Sequence, residues 1–219
     1  MKIKSNADRI ETFNENNFKT ICDHLAKKDP DLRLILDTHH YPPLWKRAPS
    51  FETLVHIILE QQVSLASAMA AMKKLKEKIV DITPANLAAL TNEELKDCYF
   101  SRQKITYVRH LANAILNKEL NIDELPGMDN DSVRSTLTKI KGIGNWTVDV
   151  YLMMALQRSD LFPPGDVALM TSIKETKKLS KEISKEAIAT IASRWKPYQT
   201  IAAYILWHSY LCSVCKKTL

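Results

Sequence analysis

Two of the four glycines in this 219-residue chain, Gly142 and Gly144, stand one residue apart, with an amphipathic stretch on either side. So little glycine argues against a turn-rich all-β fold, and period-2 strands closed by hairpin turns are missing. Instead, apolar residues recur at spacings of three and four: Phe51, Leu54, Val55 and Ile58; Val133, Leu137 and Ile140; Trp146, Val150 and Met153. Ile201, Ile205 and His208 continue the pattern after Pro197, which suits a first helical turn. Such spacing places apolar groups on one helical face. The expectation is an all-α fold of roughly ten helices joined by short loops.

Around the glycines, residues 137–148 read as a helix that ends at Gly142, a turn plugged by Ile143, and a second helix that starts after Gly144. Gly142 can take a positive φ without penalty, and Gly144 lets another backbone approach. The first N–H groups of the second helix would form an anion site that suits a DNA phosphate and needs no base sequence. Lys139 and Lys141 add charge beside it, Asn145 and Thr147 open the new helix, and the turn carbonyls could hold a monovalent cation. The other reading is a plain connection between two helices.

Tyr41-Pro42-Pro43-Leu44-Trp45 and Phe162-Pro163-Pro164-Gly165 punctuate the chain. Consecutive prolines cannot sit inside helices, so both are extended crossings, ahead of helices starting near Pro49 and Asp166. The expected architecture is two helical subdomains flanking a cleft. Residues 50–160 form the one with the hairpin; residues 1–49 and 161–219 form the other, with Asp166. Clefts of this kind are where sites usually form.

Lys and Arg number 31 against 25 Asp and Glu, for a formal charge of +6, and 45% of the residues are apolar. A sizeable core is available, and the charge fits either a nucleic-acid partner or a solvated basic face. Cys22, Cys98, Cys212 and Cys215 make no disulfide framework. Cys212 and Cys215 are half a metal site, with only His208 nearby, so neither metal nor cofactor is expected. Residues 1–17 lack an apolar signal core, and the longest apolar stretch, 201–207, is far short of the roughly 20 residues that span a bilayer. The expected setting is cytoplasmic, at the nucleoid in a bacterium, with no membrane contact.

These segments, in this order, resemble the helix-hairpin-helix (HhH-GPD) DNA glycosylase superfamily. The hairpin is Lys141-Gly142-Ile143-Gly144-Asn145-Trp146-Thr147, the Gly/Pro-rich loop Phe162-Pro163-Pro164-Gly165, and the aspartate Asp166. Ile58-Leu59-Glu60-Gln61-Gln62-Val63-Ser64 is similar to the family's ILxQQxS signature, and Ser101-Arg102-Gln103-Lys104 to its SRxK segment. Trp195-Lys196-Pro197-Tyr198 with Ala202, Ala203 and Trp207 is similar to its C-terminal helix. The likeness spans about residues 40 to 211 and is closest to the 3-methyladenine DNA glycosylase II group, as a compact member without the N-terminal β-rich domain of larger ones. Gln199 stands where that family usually has Arg.

The resemblance implies hydrolysis of the bond joining an alkylated purine, 3-methyladenine or 7-methylguanine, to deoxyribose in duplex DNA, by a monomer that binds double-stranded DNA with damaged bases. Asp166 would stabilise the cationic sugar; its sequence context equally suits a helix N-cap. Trp146 occupies the position where strand-cutting members carry a nucleophilic Lys, so the backbone should stay intact. Trp146, Trp207, Tyr151 and Trp45 are the candidate walls of a base pocket, the last two equally at home in a core. Gln62, or Gln61 beside it, would plug the gap left by the extruded base; the alternative is a buried amide pair stitching a helix to a loop. Three rival readings stand beside this one: a non-catalytic DNA-binding module, a glycosylase for other damaged bases, and an interaction domain without DNA affinity.

Overall fold

Short polar side chains set most of the helix starts. The computed structural model describes the backbone of residues 12–217 and the side chains of residues 12–214. Among these residues are twelve α-helices, a few 3-10 turns, one isolated bridge between Thr12 and Arg158, and no strand. The chain divides into two units, Met1–Lys46 with Gln157–Leu219, and Arg47–Leu156.

The Arg47–Leu156 unit holds seven helices: α3 (Phe51–Glu60), α4 (Leu65–Lys78), α5 (Pro84–Ala89), α6 (Asn92–Asp97), α7 (Arg102–Leu116), α8 (Asn130–Leu137) and α9 (Asn145–Met154). Ser50, Ser64, Thr83, Thr91, Ser101 and Asp129 each accept a backbone N–H at the start of a helix, which satisfies donors that have no intrahelical partner. Helix α9 differs: Gly144 stands at its N-cap, and no side chain caps it. Helix α3 packs against α4, α7 and α9. All residues of α9 from Thr147 to Met153 are buried, so the one-faced pattern of Trp146, Val150 and Met153 understates it. A helix apolar around most of its circumference belongs inside a core.

The other unit holds α1 (Phe18–Lys28), α2 (Pro30–His39), α10 (Val167–Thr176), α11 (Lys185–Ala192) and α12 (Gln199–Lys217). Helix α12 packs against α1, α2 and α10, and every residue from Ile201 to Trp207 is buried. It starts at Gln199, so Pro197 lies outside its first turn; the N–H of Tyr198 instead donates to the Trp195 carbonyl at 2.7 Å. Gln199 donates from Nε2 to Oδ1 of Asp160 at 2.8 Å, so a neutral amide holds that carboxylate. Asp29 caps α2 and receives Trp195 Nε1 and Lys177 Nζ on the same carboxylate.

Candidate active site and nucleic-acid interface

Gly142 has φ of 97°, and a Cβ added there would lie 2.1 Å from Cγ of Tyr107. The position therefore excludes side chains twice, by backbone conformation and by the ring that fills the space. Gly144 meets no such obstacle, and its surroundings are open. Lys139, Lys141, Gly144 and Asn145 are exposed, Gly142 is half-buried, and Ile143 is buried as the plug. The uncapped start of α9 thus presents N–H groups beside two exposed lysines, the arrangement that favours an anion.

Thr147 is different. Its side chain is buried, and Oγ1 accepts from Gln61 Nε2 at 2.9 Å. Any contact of Thr147 with a DNA backbone would therefore run through its N–H in the first turn of α9, not through this hydroxyl. The same Gln61 amide donates to the Gly142 carbonyl at 2.8 Å. Gln61 is therefore a stitch between the end of α3 and the hairpin, which corrects its place as an alternative wedge. Gln62, next in the chain, is exposed with φ of 56°. The left-handed backbone turns consecutive amides into opposite surroundings.

Asp166 caps α10. Its Oδ1 accepts the Leu169 N–H at 2.8 Å and the indole N–H of Trp207 at 2.9 Å. The Trp207 ring lies 6.3 Å from that of Trp45 and 5.8 Å from that of Tyr204. Tyr204 donates its hydroxyl to the Trp45 carbonyl at 2.9 Å. A half-buried carboxylate is thus held by a helix start and an indole, beside a cluster of aromatic rings. Cap and site residue are compatible, because a cap fixes the direction of an aspartate.

The other proposed pocket walls differ in exposure. Trp146, in the first turn of α9, and Trp45, in the first proline-rich crossing, are half-buried. Tyr151 is fully buried and its hydroxyl has no hydrogen-bond partner among the described residues; burial pushes the phenol well above its usual pKa. A side chain without an open face is a core residue, and this corrects Tyr151 as a pocket wall.

A family model for HhH-GPD superfamily base excision DNA repair proteins matches residues 55–197. The chain belongs to this superfamily. Helix α9 and its hairpin, and Asp166 at the start of α10, lie inside the matched span. A relative in Bacillus subtilis, DNA-3-methyladenine glycosylase, is 30% identical over 209 residues, covering 90% of this chain and 69% of that protein. The Schizosaccharomyces pombe alkylbase DNA glycosidase-like protein mag2 is 31% identical over 162 residues, 72% of this chain and 76% of its own length. Among solved structures, S. pombe 3-methyladenine DNA glycosylase (Mag1) in complex with abasic DNA is similar, with a TM-score of 0.79 and 26% identity over 86% of this chain and 95% of that one.

Within this superfamily member, several site-bearing contacts escape sequence reasoning. Arg134 donates to Asp149 Oδ1 at 2.5 Å and to Asn145 Oδ1 at 3.2 Å, tying α8 to the start of α9. Burial pushes the Asp149 carboxyl up more than Arg134 pulls it down. Lys104 donates from Nζ to the Leu59 carbonyl, closing the end of α3 just before Gln61. Burial lowers the pKa of that amine. Arg134 and Asp149 carry opposite charges on neighbouring helices, a cue available beforehand, and the Gln61 bonds match the alternative reading of a stitching amide; nothing in sequence marks the Lys104 or Trp207 bonds.

His208 binds the His39 carbonyl through Nε2 at 2.9 Å, and Cys212 Sγ lies 3.9 Å from the same ring. The Cys215 side chain lies outside the described residues. Among those described, no cluster of His, Cys, Asp and Glu could hold a metal ion, and no helix is long and apolar enough to cross a membrane.

Proposed function

We propose that this protein binds duplex DNA and hydrolytically excises alkylated purines of the 3-methyladenine and 7-methylguanine type, leaving an abasic site. The carrying observation is the Asp166 carboxylate, held by the Leu169 N–H and the Trp207 indole beside Trp45 and Tyr204. Departure of the base leaves positive charge on deoxyribose. A carboxylate about 4 Å from that charge, at an effective dielectric near 20, attracts it by roughly 4 kcal/mol. That is about a thousandfold in rate. The donors on Oδ1 keep the carboxylate from turning away, so little reorganisation accompanies the reaction.

An alkylated purine of this type is itself cationic, which weakens its glycosidic bond and lets aromatic faces bind it. Trp207 and Trp45 are the rings assigned to this task. Trp146 stands where a lyase would need an amine, and an indole offers none, so water attacks the sugar and both strands remain joined. The hairpin supplies the grip: the uncapped N–H groups of α9, with Lys139 and Lys141, take a backbone phosphate. Gln62, exposed on its left-handed turn, fills the gap in the stack after the base is extruded. The protein acts as a monomer in the cytoplasm, at the nucleoid if its cell is bacterial.

Product analysis on methylated duplex DNA tests this reading. The expected products are free alkylated purine and a strand that breaks only after alkali. No released base, or breaks without alkali, would overturn it.

A further inference from the structure

We infer that a basic groove between α6 and α7 holds DNA phosphates beyond those at the hairpin; this rests on the DNA-binding part of the proposed function. The groove has a volume of about 510 Å³, and its lining includes Lys96 of α6 and Arg102, Thr106, Arg109, His110 and Asn113 of α7. No carboxylate lines it. Lys96 pairs with Glu93, whereas Arg102, Arg109 and His110 have no ion-pair partner among the described residues.

Arg109 is built into the floor. Its Nε donates to Asn92 Oδ1 at 3.0 Å, Nη2 to the Leu90 carbonyl at 2.6 Å and Nη1 to the Ala88 carbonyl at 3.4 Å. All three acceptors are neutral. They fix the guanidinium without cancelling its charge, so the field stays directed at whatever enters the groove. Arg102 and His110 are exposed at its rim.

The place of the groove favours DNA over another polyanion. Residues 102, 106, 109 and 113 follow one helical stripe of α7 at spacings of four, three and four. Gln103, Tyr107 and His110 form the adjoining stripe. Tyr107 on that stripe fills the space against Gly142, and Gln103 donates to its hydroxyl at 2.6 Å. His110 therefore belongs both to the hairpin-facing stripe and to the groove. Duplex DNA carries a charge every ~1.7 Å along its axis, so a backbone seated at the hairpin offers further phosphates to neighbouring cations.

The test is binding of the full chain to undamaged duplex across a salt series, with Arg102→Glu, His110→Glu and the conservative Arg102→Lys. The two acidic variants should each bind about threefold more weakly or worse, Arg102→Glu should also make the slope of log affinity against log salt smaller by roughly one, and Arg102→Lys should stay near the parent. Circular dichroism confirms folding of each. Parental affinity and slope in both acidic variants overturn the inference and leave the groove to an acidic protein segment or to no ligand. Loss of base release by the parent with these binding effects intact would instead strike only the proposed chemistry.

Discussion

The indole N–H of Trp207 donates to Oδ1 of Asp166 at 2.9 Å, across 41 residues of sequence. Helix α12 thereby orients a carboxylate that caps its own helix, α10. The second donor serves the reagent role proposed for Asp166, because the cap alone leaves rotation about the side chain partly open.

Replacing Trp207 with Phe removes that donor while keeping an aromatic ring. A hydrogen bond to a charged group contributes ~1.5–3 kcal/mol, so single-turnover base release should fall about ten- to hundredfold. Affinity for undamaged duplex should hold. An unchanged rate would show that the Leu169 N–H suffices to orient the carboxylate.

Gly142→Ala should destabilise the protein by ~2 kcal/mol or more, through the positive φ and the overlap with Tyr107. Urea unfolding measures it. Adding Tyr107→Ala should recover part of the loss but not all, since only the overlap is relieved; the two changes couple because they meet in one place.

Gln61 and Gln62 should separate in opposite ways. Gln61→Ala strips a donor from the Gly142 carbonyl and the Thr147 hydroxyl and should cost ~1–3 kcal/mol of stability. Gln62→Ala touches an exposed side chain and should leave stability within ~0.5 kcal/mol, while slowing release of a base from intact duplex more than from a mismatch. Denaturation and kinetics on the two substrates give the comparison.

Acid should weaken the unit containing α2 through Asp29. Burial pushes this carboxyl up, but hydrogen bonds from Lys177 and Trp195 outweigh that and leave it below the ordinary carboxylate value. A depressed folded pKa means the stabilisation is present above the unfolded value, ~3.9, and is lost as pH falls through the folded one. Asp29→Asn should lower stability at neutral pH and flatten the acid limb of the stability profile. An acid limb as steep as the parent's would assign it to other carboxylates.

Much of this was legible in the sequence because the signals are local. Glycines at 142 and 144 between apolar repeats marked the hairpin, and prolines 163 and 164 marked the crossing before Asp166. Caps such as Ser50 and Ser101 act within three residues. The rest depends on residues far apart in the chain. Gln61 meets Gly142 across 81 positions, and a glutamine looks the same whether it wedges or stitches. Tyr151 fits a pocket by residue type, but α9 is buried nearly all round and encloses it. Aromatic type alone does not tell core from wall.

The account turns on Asp166, and its most direct test is the single-turnover rate of Asp166→Asn on methylated duplex, with affinity for the same DNA measured in parallel. Asparagine keeps a cap oxygen for Leu169 and loses the charge. The expected result is a fall of about a thousandfold in rate with affinity near the parent's. Excision at the parent's rate by the asparagine variant would contradict the account.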